Sequence, residues 1–318
     1  MATKLIAEAA SNAIIVPSPQ ANEYSHDDSF LVQLEEVNRG LMDKPLPPGL
    51  HVVATPIGNL GDLSPRAAET LRNANRILVE DTRVTAKLLA HIGAKVRMVR
   101  YDDHSTDAER ERIVEMLGEE AVVLVSDAGT PLISDPGYKL VRAARAAGHE
   151  VHTVPGPCAA IAALTIAGLP TDRFLFLGFL PAKAKARSDA IDEVAKVRTT
   201  LILYESGPRL GDTLLALSSQ LGPRDAAVAR ELTKLHEECV TGTLDDLAGR
   251  YADASPKGEI VIVVGPPAEM DTVSDDVLDA MLDKALERLS PSRAAAEVAE
   301  QLNIPRKRAY ARALERAK

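Results

Sequence analysis

The amino-acid sequence predicts an α/β protein with two α/β/α domains, followed by a small C-terminal helical domain of the helix-turn-helix type. Three observations support this fold class. Short apolar runs alternate with amphipathic segments between residues 49 and 267, as in parallel sheets that helices cover on both faces. Most of these runs end in loops of small, turn-forming residues. Two amphipathic segments between residues 290 and 316 are joined by a turn that contains proline.

The stretch from residue 122 to residue 138 is the most informative part of the chain. The apolar run at residues 122–125 predicts a buried strand, and a loop of small residues is expected directly after it, at residues 126–131. Such a loop lets a ligand approach the backbone, and ligands of open α/β sheets bind at the carboxyl ends of strands. An ordinary strand-to-helix turn has the same local pattern, so this stretch alone does not identify a binding site.

The first α/β unit is predicted to begin at Gly49. Ser64 followed by Pro65 indicates the start of a helix, since proline is favoured at the first helical position. The predicted strands cover residues 50–54, 76–79, 96–100, 122–125 and 150–154, and the predicted helices cover 65–71, 84–91, 106–119 and 138–147, with a helix of small residues after Cys158.

The second α/β unit is predicted to start near Leu169 and to contain a second parallel sheet. A basic loop is expected at residues 181–187, and Pro266 and Pro267 mark the end of the unit. The predicted strands cover residues 174–179, 199–204, 226–230, 238–243 and 259–264, and the predicted helices cover 189–196 and 209–217.

The chain is therefore predicted to contain four segments. Residues 1–48 have the composition of a disordered extension, with three prolines in the last four positions. Residues 49–168 and 169–267 are the two α/β domains. Residues 268–318 are the helical domain.

Composition restricts the range of functions. The net charge is −9 over 318 residues, so contact with nucleic acid requires a local basic patch. The absence of tryptophan argues against a wall of stacking aromatics for single-stranded nucleic acid. Cys158 and Cys239 lack metal-binding spacing, so we expect reduced thiols, no metal site and a cytoplasmic location. The most apolar window, residues 151–169, is interrupted by prolines and glycines, which argues against a membrane helix.

Motifs narrow the function further. GxGxxG, GxxxxGK[ST] and GxSxG are absent, so a dinucleotide-binding Rossmann domain or a P-loop phosphotransferase has little support. Seven other loops occur in this order: Thr55-Pro-Ile-Gly-Asn-Leu60, Glu80-Asp-Thr-Arg83, Ser126-Asp-Ala-Gly-Thr-Pro131, Asp135-Pro-Gly137, Pro155-Gly-Pro-Cys158, Tyr204-Glu-Ser206 and Ala229-Arg-Glu-Leu-Thr-Lys234. Together, over residues 49–318, they resemble the ribosomal RNA small subunit methyltransferase I family of the tetrapyrrole methylase superfamily.

The resemblance implies two domains of the tetrapyrrole methylase type, with S-adenosyl-L-methionine held in the cleft between them, and a homodimer. It implies methylation of the ribose 2′-oxygen of a cytidine in the decoding region of 16S ribosomal RNA, either as naked RNA or within the small ribosomal subunit. The Gly-Asp-Pro loop of the superfamily corresponds here to Ser126-Asp127-Ala128. Its first loop, often Pro-Gly-x-Gly-Asp, corresponds to Pro56-Ile-Gly-Asn59, which favours the RNA-modifying branch. A methylase of tetrapyrroles or protein side chains and a non-catalytic RNA-binding assembly factor are the alternatives.

The resemblance also implies where the cofactor is bound. Loops at strand ends would offer backbone groups and small side chains to it. Cys158 could instead be a small buried hydrophobe, and Tyr204 could simply pack at a strand end. The candidate cofactor-binding residues are Pro56, Asp127, Ala128, Gly129, Thr130, Cys158, Ala159, Tyr204, Glu205, Leu232, Gly258, Glu259 and Ile260.

A ribose hydroxyl is a weak nucleophile, so a positioned base or cation would help its reaction. Asp81 and Arg83 are candidates, but they could equally form a structural ion pair at a helix start. His104 is a candidate that could instead cap or pack. Glu231 and Lys234 are candidates that could instead form a surface pair one helical turn apart.

Two basic segments are candidate RNA contacts. The helix-turn-helix pattern is the stronger signal, because its second helix is rich in cations that suit phosphates and only Glu315 opposes them nearby in sequence. A solvated loop and a solvated helix face are the structural alternatives. The candidate residues are Lys183, Lys185 and Arg187 in the loop, and Arg306, Lys307, Arg308 and Arg312 in the helix.

Overall fold

The computed structural model describes residues 45–267, 274–302, 304 and 306–317. The predicted disordered extension lies outside these residues, apart from its last four positions. Within the described ranges, no helix is both long enough and apolar enough to cross a membrane.

The first sheet contains five parallel strands, as predicted. Its strands are β1 (Gly49–Val53), β2 (Arg76–Val79), β3 (Arg97–Arg100), β4 (Ala121–Leu124) and β5 (Val151–Val154). They lie in the order β3-β2-β4-β1-β5. The helices between them are α1 (Pro65–Asn73), α2 (Thr82–His91), α3 (Asp107–Met116) and α4 (Tyr138–Ala146).

Strand β4 lies in the centre of this sheet and is buried along its whole length. Val123 belongs to the core on the side of α1, with Leu71, whereas Val122 and Leu124 pack with Leu140 of α4 on the other side. A parallel strand between two helical layers has no solvent-facing side, which is why its sequence is an unbroken apolar run. The loops that follow the five parallel strands consequently emerge at one edge of the sheet.

The second sheet is mixed, so the expectation of a second parallel sheet is wrong. Its strands are β6 (Phe174–Phe179), β7 (Thr200–Ser206), β8 (Asp225–Arg230), β9 (Glu238–Thr243) and β10 (Glu259–Val264). In the order β6-β7-β10-β8-β9, the β6–β7 pair is parallel and the other three pairs are antiparallel. The connection between β8 and β9 spans residues 231–237, which is too short for the crossover that parallel strands need.

Helices cover both faces of the second sheet. They are α5 (Ala159–Ile166), α6 (Ala184–Val194), α7 (Gly207–Leu221) and α8 (Leu244–Tyr251). Helix α5 packs on one face, and α6, α7 and α8 pack on the other. Lys185 and Arg187 belong to α6, so the predicted basic loop is too long, because the alanines around them favour a helix. Helix α8 is absent from the sequence prediction, although Thr243 and Asp246 form the capping box that starts it.

The C-terminal domain contains α9 (Asp275–Leu286), α10 (Pro291–Gln301) and α11 (Arg306–Arg316). Helices α10 and α11 are the predicted helix-turn-helix pair, and α9 packs against both. Leu278 and Leu282 of α9 form the core with alanines of the other two helices, including Ala295 and Ala309. Small side chains at these positions let the three helices approach closely.

The two α/β units are in contact where a side chain of one unit packs against a glycine of the other. Lys234 of the second unit crosses Gly58 of the first, where an added Cβ would lie 2.7 Å from Lys234 Cγ. Ser134 of the first unit crosses Gly178 of the second, where an added Cβ would lie 2.9 Å from Ser134 Oγ. Gly178 also has a φ of +62° at an irregularity in β6. The contact between the units therefore depends on glycine at both positions.

Replacing Gly178 with alanine should lower the free energy of unfolding by about 2–4 kcal/mol, because it adds both backbone strain and a clash with Ser134. Gly148→Ala is the matched control, since Gly148 has a φ of +80° but open space around it and should cost about 1 kcal/mol. Urea unfolding measures both variants. Adding Ser134→Gly should recover most of the extra loss in Gly178→Ala. Equal losses in the two alanine variants would contradict the contact.

Candidate active site

A cavity of about 240 Å³ lies where the two α/β units meet. It adjoins the carboxyl ends of β2 and β4 in the first unit, and the ends of β6 and β8 and the start of β10 in the second. The lining residues are Ile57, Glu80, Asp127, Ala128, Gly129, Thr130, Ile133, Ser134, Asp135, Cys158, Ala159, Phe179, Tyr204, Glu231, Leu232, Lys234, Glu259, Ile260 and Val261.

Ten of the thirteen candidate cofactor-binding residues line this cavity, and Pro56, Glu205 and Gly258 do not. Pro56 precedes Ile57, which does line it. The Glu205 side chain is fully buried and accepts hydrogen bonds from Thr213 Oγ1 at 2.7 Å and from the Ser206 N–H at 2.8 Å. Its carboxylate therefore binds groups inside the second unit and does not face the cavity. Gly258 makes room for a neighbour, because an added Cβ would lie 2.6 Å from the carboxylate of Glu231.

The floor of the cavity is a pair of loops joined by backbone hydrogen bonds. The Thr55 N–H donates to the Gly129 carbonyl at 2.8 Å, and the Gly129 N–H donates to the Thr55 carbonyl at 3.1 Å. Gly129 has a φ of +83°, a conformation that glycine adopts without strain. Thr130 Oγ1 donates to the Pro157 carbonyl at 2.9 Å, which ties in the loop after β5. Three strand-end loops of the first unit are thereby held together.

Tyr204 forms a side wall of the cavity. Its ring packs edge-on against Phe176 and Phe179, with centroid distances of 4.9 and 5.7 Å. Its hydroxyl oxygen accepts the Ala160 N–H at 3.1 Å and so satisfies a backbone donor in the first turn of α5. Burial raises the pKa of the phenol, so it stays protonated at neutral pH.

Carboxylates dominate the charge of the cavity. Burial, followed by repulsion from Asp135 and Asp127, raises the pKa of Glu80 to about 7. Burial raises the pKa of Asp135 to about 6, against a hydrogen bond from Ser126 that lowers it. Burial also raises the pKa of Asp127. No three His, Cys, Asp or Glu side chains within the described ranges are placed to hold a metal ion.

Glu80 and Asp135 are absent from the residues predicted from sequence, although both occur in the loops that carry the resemblance. Glu80 directly follows the apolar run of β2, a position at a strand end that could have identified it. Asp135 lies near the end of the long loop after β4, so its approach to Glu80 is a tertiary contact that local pattern does not reveal.

Asp81, Arg83 and His104 do not line the cavity. Arg83 donates to both carboxylate oxygens of Asp81, at 3.0 and 3.1 Å from Nε, and the Arg83 N–H donates to Asp81 Oδ1 at the start of α2. These hydrogen bonds lower the pKa of Asp81 to about 2. The Asp81 N–H donates to Asp127 Oδ1 at 3.1 Å. His104 is exposed, and its N–H donates to Asp102. Asp81 and Arg83 thus form the ion pair at a helix start that is the alternative to catalysis, and the catalytic roles of all three residues stay predictions.

Glu231 and Lys234 both line the cavity. Lys234 Nζ lies 2.9 Å from Glu231 Oε1. The segment between them is a loop, with φ values of +50° at Glu231 and +64° at Thr233, and not the helical turn that their spacing predicts. Such conformations cost about 1–3 kcal/mol each and are found mainly at functional sites.

The basic residues of α11 divide into two sets. Arg308 donates to Asp275 at 2.8 Å and Arg312 Nε donates to Asp279 at 2.9 Å, both across to α9. Glu315 is the acid that opposes this helix nearby in sequence, but acids 33 residues earlier in the chain also pair with it. Arg306 and Lys307 are exposed, and Arg306 reaches Ser292 at 3.3 Å.

The three candidate RNA-binding residues of the second α/β unit lie at the start of α6. Lys183 is exposed and precedes the helix. Lys185 is exposed and lies 3.3 Å from Asp189, one helical turn away. Arg187 is half-buried, so less of its side chain is available to a ligand.

Replacing Glu80 with glutamine should stabilise the protein at pH 8. A carboxyl whose folded pKa is near 7 contributes stability below its ordinary value of 4.5 and loses it as the pH rises through 7. We expect a gain of roughly 1–2 kcal/mol at pH 8, after allowance for partial exposure, and less at pH 5. Urea unfolding at both pH values measures it, with the exposed Glu119→Gln variant as control. A gain of the same size at both pH values would contradict the burial of a charged carboxylate.

Comparison with protein families agrees with this architecture. Residues 49–248 match the family model of Tetrapyrrole (Corrin/Porphyrin) Methylases, and residues 271–317 match the model of the RsmI C-terminal HTH domain. A solved structure of diphthine synthase has a TM-score of 0.55 at 16% identity, over 68% of this chain and 90% of that one. Uroporphyrin-III-C-methyltransferase from Thermus thermophilus has a TM-score of 0.50 at 23% identity, over 69% and 94%. At these identities the two structures support the fold alone.

Sequence relatives are much closer. Ribosomal RNA small subunit methyltransferase I of Erythrobacter litoralis (strain HTCC2594) is 56% identical over 272 residues, which cover 86% of this chain and 96% of that protein. The protein of the same name from Xylella fastidiosa (strain Temecula1) is 48% identical over 268 residues, which cover 83% and 98%. The chain therefore belongs to the ribosomal RNA small subunit methyltransferase I family of the tetrapyrrole methylases.

Proposed function

We propose that this protein uses S-adenosylmethionine to methylate the ribose 2′-oxygen of a cytidine in the decoding region of 16S ribosomal RNA. The main support is a coincidence of sequence and geometry. A relative named for ribosomal RNA methylation is 56% identical, and the junction of the two α/β units contains a cavity dominated by carboxylates. The direct test is to map 2′-O-methyl groups in ribosomal RNA from cells that lack this protein, where one decoding-region cytidine should lose its methyl group.

The cavity suits the chemistry of S-adenosylmethionine, which carries a positive sulfonium and a positive ammonium group. Opposite charges attract most strongly where water is partly excluded. Apolar side chains, including Ile57, Leu232 and Ile260, offer surfaces for an adenine ring. The amine of Lys234 lines the cavity, and the carboxylates that line it are Glu80, Asp127, Asp135, Glu231 and Glu259.

Positioning supplies much of the rate in this chemistry. The bound cofactor supplies a methyl group on positively charged sulfur, and an in-line displacement requires the ribose oxygen to be held opposite the leaving sulfur. We assign this task to Glu231 and Lys234. Glu231 would accept the hydroxyl proton, and the Lys234 ammonium would stabilise negative charge on the oxygen. Asp81 would position Asp127 through its backbone N–H.

RNA binding would rest on the cations that, in the described part of the chain, are not paired with acids of the helical domain. Arg306 and Lys307 are exposed at the start of α11, whereas Arg308 and Arg312 hold that helix to α9. Lys183 and Lys185 of the second unit would provide further phosphate contacts. Arg187 is the weakest of these candidates, because it is half-buried.

The domain division follows from this proposal. Residues 49–168 and 169–267 would be the two lobes around the cofactor, and residues 268–318 would bind RNA. A homodimer and a cytoplasmic location also remain part of the proposal, as the family resemblance implies. Sedimentation of the purified protein tests the first, since a monomer at micromolar concentration would contradict it.

Replacing Gly129 with valine should abolish S-adenosylmethionine binding and leave the fold intact. An added Cβ would lie 3.2 Å from Ile57 Cγ2, and the remaining valine atoms would fill space in the cavity. Gly93→Val is the matched control, because Gly93 also has a positive φ but lies in open space away from the cavity. Titration calorimetry measures binding and circular dichroism measures folding. Undiminished affinity in folded Gly129→Val would contradict the proposed cofactor site.

Replacing Arg306 and Lys307 with alanine should weaken binding of the small subunit. If each side chain neutralises one phosphate, the double variant should also flatten the salt dependence by roughly 1.4 to 1.8 in log–log slope. The matched pair Arg308→Ala/Arg312→Ala should instead lower the melting temperature, because it removes ion pairs with α9. Binding across a salt series and thermal melting separate the two effects. An unchanged salt dependence of binding in Arg306→Ala/Lys307→Ala would contradict phosphate contacts by these two residues.

A further inference from the structure

The carboxylates of the cavity come from both units and face one space. Glu80 follows β2, Asp127 and Asp135 lie in the loop after β4, and Glu259 starts β10. The backbone of Asp127 lowers the pKa of Glu80, and the Ser126 side chain lowers that of Asp135, so neutral polar donors near these groups favour their ionised forms. Neutral donors of this kind do not cancel the negative charge of the carboxylates.

The basic side chains Lys234, Arg83 and Arg100 are each paired with an acid other than Glu80, Asp127, Asp135 and Glu259. Lys234, the basic residue among those that line the cavity, lies 2.9 Å from Glu231. Arg83 pairs with Asp81 at the start of α2. Arg100 pairs with Asp102 at 3.1 Å after β3. Within the described ranges, the four remaining carboxylates of the cavity therefore have no cationic side chain bonded to them.

We propose that Glu80 and Asp135 act as a charge sensor that favours the cationic cofactor over its neutral-sulfur product, S-adenosylhomocysteine. This inference rests on the proposed function and adds how the site distinguishes the two forms of the cofactor. Transfer of the methyl group to the ribose oxygen breaks a carbon–sulfur bond, forms a carbon–oxygen bond and releases the hydroxyl proton. The sulfur thereby loses its positive charge. Ionised Glu80 and Asp135 would then lose an attractive partner in the cavity, which would weaken the binding of the product.

Proton exchange follows from the same arrangement. Burial and the neighbouring acids Asp127, Asp103 and Glu259 raise the pKa of Glu80 to about 7 and that of Asp135 to about 6. Glu80 is therefore partly protonated at pH 7, and Asp135 is partly protonated at pH 6. A bound cation favours the ionised form, so cofactor binding should release protons to solvent. The product, with neutral sulfur, should release fewer.

The test is titration calorimetry with S-adenosylmethionine, S-adenosylhomocysteine and sinefungin, an analogue that carries an amine cation near the sulfur position. The full-length protein is used at pH 6 and pH 8. For the wild type, the preference for S-adenosylmethionine over the product should rise by up to about tenfold between these pH values, a ceiling set by a pKa of about 7. Sinefungin should behave like S-adenosylmethionine. Binding heats in buffers of different ionisation enthalpy should reveal the released protons.

Glu80→Gln and Asp135→Asn should each lower the preference at pH 8 by roughly fivefold to tenfold and reduce proton release, because each keeps the shape but removes a charge. Glu119→Gln, an exposed change away from the cavity, should leave the preference unaltered. Equal loss of affinity for all three ligands, or no change in preference, would overturn the charge sensor. If the folded wild type binds none of the three, the proposed cofactor itself is wrong. Melting curves of both variants establish that they are folded.

Discussion

The cavity depends on the backbone bridge between Thr55 and Gly129. Two hydrogen bonds join the loops after β1 and β4, and Thr55 Oγ1 adds a third to the Ser126 carbonyl at 3.3 Å. Loops can approach this closely only when their side chains are small, which explains the run of Ser, Ala, Gly and Thr after β4. The same bridge fixes the backbone on either side of Asp127. The pairing of β1 with β4 in the first sheet therefore determines where the Asp127 carboxylate lies at the edge of that sheet.

That edge carries a cost in stability. Two half-buried carboxyls, with pKa values of about 7 and about 6, lie beside other acids, and each ionised form is less favourable in the folded protein than in water. The positive φ values at Glu231 and Ser134, which line the same cavity, add backbone strain. The cores of the two α/β units are apolar and buried, so they supply the stability that the site gives up. Unfavourable local terms concentrated in one cavity are the pattern expected of a binding or catalytic site.

Local pattern is sufficient for most of the fold because most of its signals are local. The apolar run of β4, the Ser64–Pro65 helix start and the amphipathic pair near the C-terminus each depend on adjacent residues. The direction of β9 is also encoded locally, in the short connection 231–237, although the alternation of strands and helices favours a parallel sheet. The approach of Asp135 to Glu80 is beyond such reasoning. It depends on how a loop folds back across a sheet edge, and no spacing in the sequence reports that distance.

In the helical domain, the charge of α11 also depends on contacts between residues that are far apart in sequence. Counting cations along α11 gives a strongly basic helix, yet Asp275 and Asp279 of α9 neutralise two of its arginines from 33 positions away. The acids and arginines on α9 and α11 share a spacing of four residues, so each pair repeats one helical turn after the last. These ion pairs align the two helices. Arg306 and Lys307 lie before the first pair, Arg308 with Asp275. A protein with a net charge of −9 can thus present a small positive surface, because its acidic residues are used to hold the helix that carries it.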